Sequence, residues 1–199
     1  MKTKALLIVD YQNDFCPGGA LAVPQGDTIV RALNKYIDYF CRKRWPIFAS
    51  RDWHPPETSH FKDYGGVWPA HCVQDTNGAR FHPKLRLPKN VHVISKGMSA
   101  NKDSYSAFQG EDSKGQEFLE VLRKRNVSEL FVGGLATDYC VKSTVCDALK
   151  FGFKAYLLID AIKGVNLKLQ DSQRAIEEMV QAGAQKMTLL DLSPKRHHT

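Results

Sequence analysis

The alternation of short apolar runs with amphipathic stretches is the feature of this sequence that most restricts its fold. The apolar runs are "ALLIV" (5–9), "PIFAS" (46–50), "VHVIS" (91–95), "ELFVGG" (129–134), "AYLLI" (155–159) and "KMTLL" (186–190). Runs this short and this continuously apolar are typical of parallel strands buried on both faces. Apolar residues recur at helical spacing in 28–43, 116–125, 138–151 and 172–182. The pattern predicts an α/β fold, a three-layer α/β/α arrangement around a mostly parallel, doubly wound six-stranded sheet.

The length of the chain predicts a single domain. Its 199 residues can bury one sizeable core, and we find no repeat or interdomain linker. We assign 1–192 to this domain and expect 193–199 to be a flexible tail. Two long segments, 51–90 and 97–115, interrupt the strand–helix rhythm, and loops of this length in a compact domain are usually functional or disordered.

Cysteine usage and charge indicate the compartment and the partners. The five cysteines are odd in number and form no CxxC pair, which favours a reducing compartment. No run approaches the roughly 18 apolar residues that span a bilayer, so we expect a cytoplasmic protein with no membrane partner.

The formal net charge is +7, but basic residues are scattered apart from short runs such as 41–44 and 123–125. We interpret these runs as solvated helix ends and expect no nucleic-acid partner.

Polar residues follow four of the predicted strands. Asp10 follows 5–9, "RDWH" follows "PIFAS", Lys96 follows 91–95, and "LATDYC" follows "LFVGG". Ligands of open α/β sheets bind beyond the carboxyl ends of the strands. Each residue alone has an ordinary explanation, because Asp caps helices and Cys often fills a core. Their coincidence at one edge of the sheet favours a functional site.

Cys140 is the candidate nucleophile, because it lies near the start of the predicted helix 138–151, where free N–H groups favour a thiolate. The helix dipole contributes about 0.3–1 kcal/mol, whereas moving a thiol pKa from about 8.5 to below 7 requires about 2 kcal/mol. Lys96 can supply the remainder as a nearby cation. An ionised Asp10 would destabilise a thiolate electrostatically. We therefore interpret Asp10 as a general base that takes the thiol proton and later returns it.

A second group of candidate residues lies in the histidine-rich segment 51–72. In an extended segment, residues i and i+2 point the same way, so Asp52 and His54 can converge on one ion. His71 can supply a third ligand and His60 a fourth. Mixed Asp and His ligation suits zinc, iron or manganese. The alternative, a set of hydrogen-bonded loop histidines, is equally compatible with this spacing.

Five blocks of sequence, in order, carry a family resemblance. They are "LLIVDYQNDFCPGGALAV", "RDWHPP", "WPAHCVQ", "KGMSANKDSYSAF" and "GLATDYCVKSTVCDAL". Together they resemble nicotinamidases, which also act as pyrazinamidases, of the isochorismatase-like cysteine hydrolase superfamily. The resemblance extends nearly from the N-terminus through 160–166. It implies that superfamily's fold and hydrolysis of nicotinamide to nicotinate and ammonia, a reaction of NAD salvage.

The resemblance implies a role for each catalytic candidate. Cys140 would attack the carboxamide carbon and form a thioester, Asp10 would shuttle protons, and Lys96 would hold the charges of the site in place. A non-proline cis peptide bond is implied just before Ala136. The backbone N–H groups of Ala136 and Cys140 would then form an oxyanion hole. Cys146 is expected in the core.

The resemblance also implies one divalent metal ion, with zinc expected first and iron or manganese as alternatives. This ion would coordinate the ring nitrogen of nicotinamide, the expected small-molecule partner. Its ligands would be Asp52, His54 and His71, whereas family members vary at the position of His60. Phe15 and Trp68 would sandwich the ring, and Tyr105 would line the pocket.

Two other hypotheses remain open. The chain could be a related superfamily amidohydrolase that acts on a carbamoyl or ureido substrate, and branches of that kind generally lack the Asp-x-His site. From a different class, it could be a non-catalytic metal- or nucleic-acid-binding protein, as the seven histidines and the positive charge would allow. A homo-oligomer is also left open.

Overall fold

The computed structural model describes residues 2–192 and contains one six-stranded sheet. The strands are β1 (Thr3–Val9), β2 (Ile47–Asp52), β3 (His92–Lys96), β4 (Val127–Leu135), β5 (Lys154–Lys163) and β6 (Gln185–Met187). Their order is β3-β2-β1-β4-β5-β6, and every neighbouring pair is parallel. The predicted doubly wound α/β sheet is therefore confirmed, and it is wholly rather than mostly parallel. The tail predicted at 193–199 lies outside the described residues.

Helices cover both faces of the sheet, which confirms the three-layer arrangement. They are α1 (Val30–Arg42), α2 (Phe118–Lys124), α3 (Lys142–Lys150) and α4 (Asp171–Gln181). Alternate residues of β1 belong to different halves of the core, because successive side chains of a strand point to opposite faces. Leu6 and Ile8 pack with the apolar face of α1, while Leu7 and Val9 belong to the cluster that includes α2, α3 and α4. No helix among residues 2–192 is both long and apolar enough to cross a bilayer.

The predicted strand 186–190 was wrong at its C-terminal end. The strand ends at Met187, and the chain then forms a 3-10 turn over Leu189–Leu192. The carboxylate of Asp191 accepts hydrogen bonds from the backbone N–H of Thr188 at 2.7 Å and from its hydroxyl at 2.9 Å. These local bonds give the backbone N–H of Thr188 a partner in a turn instead of in the sheet. The apolar pattern alone therefore predicts a C-terminal end of the strand that is too late.

The strand order places a crevice at the centre of the sheet. The chain proceeds outwards from β1 to β2 and β3, then crosses to β4 on the other side of β1. Ligand sites of open α/β sheets form at such a reversal, outside the carboxyl ends of the strands. Asp52 and Lys96 are the last residues of β2 and β3, and Asp10 directly follows β1. The fold therefore brings these three side chains to one crevice.

Candidate active site

Lys96 is the centre of a buried charge cluster. Its side chain is fully buried, and Nζ lies 2.9 Å from Asp10 Oδ2 and also pairs with Asp52 Oδ1. Nζ is 3.4 Å from Sγ of Cys140. Ser50, two residues before the end of β2, donates a hydrogen bond from Oγ to Asp10 Oδ1 at 2.7 Å. The structure thus brings the three predicted catalytic residues into contact around one ammonium group.

Burial and the neighbouring charges set the protonation states of this cluster. Burial alone would lower the pKa of Lys96, but the two carboxylates outweigh it and hold that pKa well above its usual value. Burial raises the pKa of Asp10, with Lys96 opposing the shift. Burial also raises the pKa of the Cys140 thiol well above its usual value, although Lys96 stabilises the thiolate. The resting thiol is therefore neutral, and Asp10 is an unusually basic carboxylate within 4.8 Å of it.

Cys140 lies in a wide π-helical turn, Thr137–Val141, and not in the regular α-helix that the sequence predicted from 138. The N–H of Val141 bonds to the carbonyl of Ala136 at 3.1 Å, five residues back. The peptide bond between Leu135 and Ala136 is cis, as the family resemblance implies. Within the described residues the N–H of Ala136 makes no hydrogen bond. Ala136 and Cys140 both line one pocket, which makes this N–H a candidate donor to a ligand there.

Three histidines converge beside the charge cluster. His54, His60 and His71 are all buried, and one ring nitrogen of each lies within 4.8 Å of the others. Nδ1 of His54 lies 2.9 Å from the carbonyl of Gly97, and Nδ1 of His71 lies 2.8 Å from that of Pro69. Because a carbonyl only accepts, both Nδ1 atoms carry the proton.

These contacts leave Nε2 of His54 and His71 as lone-pair donors. Nε2 of His54 is buried and has no hydrogen-bond partner within the described residues; it lies 3.8 Å from Oδ2 of Asp52. Burial lowers the pKa of His71 to about 4, so its imidazole is neutral. Metal-bound histidines typically donate the other ring N–H to a carbonyl or carboxylate, as these do. A donor set of the Asp52 carboxylate and imidazole nitrogens fits a divalent ion such as zinc.

His60, His71 and the thiol of Cys140 line one pocket, and His54 lies behind it, outside the lining. All three residues predicted to bind the ring line it, namely Phe15, Trp68 and Tyr105. Nε1 of Trp68 donates a hydrogen bond to the hydroxyl of Tyr105 at 3.1 Å. A flat aromatic ligand can therefore contact the aromatic walls with one end near Cys140 and the other near the histidines.

Sequence reasoning missed several residues of this site. Tyr139 lines the pocket and meets the Trp68 ring edge-on, with 5.1 Å between centroids; its place beside Cys140 in "TDYC" was the available signal. Gln12 is buried and bonds to Asp52 through both the N–H and the carbonyl of that residue, at 2.8 Å each. Asp103 bonds to His60. The latter two contacts join distant segments and leave no local sequence signal.

Comparisons with known proteins agree with this geometry. The Isochorismatase domain family matches residues 4–191. The chain is 44% identical to the nicotinamidase of Escherichia coli over 96% of this chain and 97% of that protein. The crystal structure of a Pyrococcus horikoshii pyrazinamidase in complex with zinc is 45% identical, with a TM-score of 0.86 over 94% of this chain and 99% of that one.

A third relative carries a ligand. The crystal structure of PnC1 from L. infantum in complex with nicotinate is 34% identical, with a TM-score of 0.83 over 94% of this chain and 93% of that one. The family match spans nearly the whole chain, and both solved structures share the parallel sheet. This chain belongs to the isochorismatase domain family.

Proposed function

We propose that this protein is a nicotinamidase, which hydrolyses nicotinamide to nicotinate and ammonia through a thioester on Cys140. The names of the similar proteins support this substrate, since they include nicotinamidases and a structure with nicotinate. The observation that carries the proposal is a single pocket lined at once by Cys140, by His60 and His71, and by aromatic rings. A pyridine carboxamide has the matching shape, with a reactive carbonyl and a ring nitrogen on one flat molecule.

The first half of the reaction forms the thioester. Asp10 accepts the thiol proton of Cys140, and the sulfur attacks the carboxamide carbon. Lys96 stabilises the thiolate and keeps Asp10 ionised between proton transfers. The free N–H of Ala136, with that of Cys140, donates to the carbonyl oxygen as it becomes negative. Asp10 then returns the proton to the leaving nitrogen, and ammonia departs.

The second half of the reaction reverses these roles. Asp10 takes a proton from a water molecule that attacks the thioester carbon, and the same N–H groups stabilise the second tetrahedral species. Collapse expels the Cys140 thiolate, which regains its proton from Asp10. Nicotinate is released with one oxygen from water, and the residues return to their starting protonation states.

A divalent ion completes the proposed site. Asp52, His54, His60 and His71 would hold it, with zinc expected first because a similar pyrazinamidase is described in complex with zinc. When bound, the ion supplies a Lewis acid for the pyridine nitrogen of the substrate. The chain's own contribution is to orient the ring, because Phe15 and Trp68 line the same pocket and restrict a flat ligand to one plane.

The cellular setting is part of the same proposal. All five cysteines are free in the structure, which supports a reducing compartment and hence the cytoplasm. A small-molecule partner suits a pocket lined mainly by apolar and aromatic side chains with a few polar groups. The absence of nucleic-acid and membrane partners and the assignment of 1–192 to one domain stay predictions, and a homo-oligomer remains open.

An ammonia-release assay tests the proposal directly. We expect purified protein loaded with zinc to release ammonia from nicotinamide and pyrazinamide, and a chelator to abolish that release. Chelator-insensitive release from a carbamoyl substrate, with none from nicotinamide, would instead identify a related amidohydrolase. Absence of ammonia release from all of these compounds, with metal still bound, would favour a non-catalytic metal protein.

A further inference from the structure

We infer that Asp103 is a positioning residue for the metal site, acting through His60 to fix that histidine as a ligand. The inference rests on the metal site of the proposed function and adds a residue to it. His60 differs from the other two histidines in its partner, since its Nδ1 lies 2.6 Å from the carboxylate Oδ1 of Asp103, whereas His54 and His71 face backbone carbonyls.

The contact between Asp103 and His60 is built into the packing of two loops. The carbonyl of Ala100 accepts hydrogen bonds from the N–H of Ser59 at 2.8 Å and from the hydroxyl of Thr58 at 3.2 Å. These bonds fix the segment before Asp103 against the segment before His60. Asp103 therefore approaches the imidazole from an anchored loop, although its own carboxylate is 53% exposed.

The chemistry of a carboxylate–histidine pair explains what Asp103 does. The carboxylate accepts the Nδ1 proton of His60, which fixes the tautomer and leaves the Nε2 lone pair free on the side of the ring away from Asp103. An anionic acceptor makes the imidazole a stronger ligand than a neutral carbonyl does.

The charge balance of the site agrees with this role. Counted as formal charges, the carboxylates of Asp10, Asp52 and Asp103 contribute −3 and the ammonium of Lys96 contributes +1. The histidines are neutral when they act as ligands. The remaining two negative charges match one divalent cation, whereas without Asp103 the site would carry one positive charge in excess when loaded.

The test is zinc affinity, measured by competition with a chromophoric chelator in the absence of any substrate. We expect Asp103→Ala to bind zinc about 10- to 100-fold more weakly than the unchanged protein. Asp103→Asn should lose less, because the amide oxygen still accepts the His60 proton. Asp63→Asn is the matched control, since Asp63 is an exposed carboxylate in the neighbouring 3-10 helix, Lys62–Tyr64, and the zinc affinity of this variant should not change.

A double variant distinguishes positioning from a general effect of charge or stability. If Asp103 acts through His60, adding Asp103→Ala to His60→Ala should weaken zinc binding no further, and both single variants should alter the visible spectrum of the cobalt-loaded protein alike. Additive losses of zinc affinity in the double variant, or an Asp103→Ala protein with unchanged zinc affinity, would overturn only the role of Asp103 and leave the metal site standing. Failure of the unchanged protein to bind zinc would overturn the metal site as well, while zinc binding without nicotinamide hydrolysis would refute only the proposed reaction.

Discussion

Lys96 explains why two carboxylates and a thiol can share one buried site. Removing charges from water is costly unless they are paired, and Lys96 pairs with Asp10 and Asp52 while touching Cys140. Without the ammonium of Lys96, the carboxylates of Asp10 and Asp52 would repel each other with no positive charge between them. Burial keeps the resting thiol of Cys140 neutral, Lys96 favours the thiolate once the proton has left, and Asp10 lies beside the thiol as the proposed proton acceptor.

Replacing Cys140 with alanine should abolish ammonia release and leave the fold intact. The change removes the only nucleophile proposed for acyl transfer, so kcat should fall by at least about a thousandfold. Cys146→Ala is the control, because Cys146 packs against the core rather than lining the pocket, and it should keep most of the activity. Retention of a tenth of the activity by Cys140→Ala would refute the nucleophile assignment.

Replacing Asp10 with asparagine should impair chemistry more than binding. The amide keeps the shape of the side chain but cannot carry a proton, so kcat should fall by about a hundredfold or more. The affinity for nicotinate should change little, since Asp10 is not among the residues that line the pocket. Steady-state kinetics and nicotinate titration check this, and a rise in KM alone would make Asp10 a binding residue.

At the scale of elements, the turn after β3 positions His54, one of the proposed metal ligands. Gly97 has φ +69°, and a Cβ atom on it would lie 2.5 Å from Cε1 of His54. The carbonyl of the same residue accepts the Nδ1 proton of His54. The glycine therefore provides both the left-handed backbone and the space that this histidine needs.

Gly97→Ala should weaken zinc binding by about tenfold or more because it displaces His54. It should also destabilise the fold by roughly 1–2 kcal/mol through its backbone conformation. Gly115→Ala is the matched control: its φ is +73° with no atom within 4 Å of the added Cβ, so it should show the backbone cost alone. Thermal unfolding measures the loss of stability, and chelator competition measures the loss of zinc affinity. Equal zinc affinities of the Gly97→Ala and Gly115→Ala proteins would contradict the account.

The sequence predicted the elements well where local pattern decides them. Five of the six strands and four helices lie where periodicity placed them, because buried parallel strands and amphipathic helices leave clear signals. The π-helical turn at Thr137–Val141 was missed, since it depends on the backbone beyond β4 and not on residue spacing. The contact of Asp103 with His60 was missed for a related reason, because 43 residues separate them.

At the scale of the whole molecule, the strand order assembles the site. Asp10, Asp52, Lys96 and Cys140 follow or end four different strands, and only the parallel arrangement around β1 brings them together. The sequence could indicate this edge from the general rule for open sheets. It could not supply the distances, because these depend on register, such as the pairing of Asp52 with Lys96.

Removing the metal should separate substrate positioning from nucleophile reactivity. The stripped protein should lose nicotinamide hydrolysis, yet Cys140 should still react with a small alkylating agent, because Asp10 and Lys96 remain in place. Peptide mapping can follow this, with the exposed Cys41 as internal reference. Loss of Cys140 alkylation on chelation, or efficient hydrolysis of benzamide, which lacks the ring nitrogen, would contradict a positioning role for the ion.

The most direct test of the covalent route is intact-mass measurement after rapid quench, with metal-loaded enzyme in excess over nicotinamide. The account predicts a transient nicotinoyl adduct that maps to Cys140, appears with ammonia and decays as nicotinate forms. The Cys140→Ala protein should show no adduct at any time. Nicotinate that accumulates while Cys140 stays unmodified at every time point, or an adduct on another residue, would contradict the central claim.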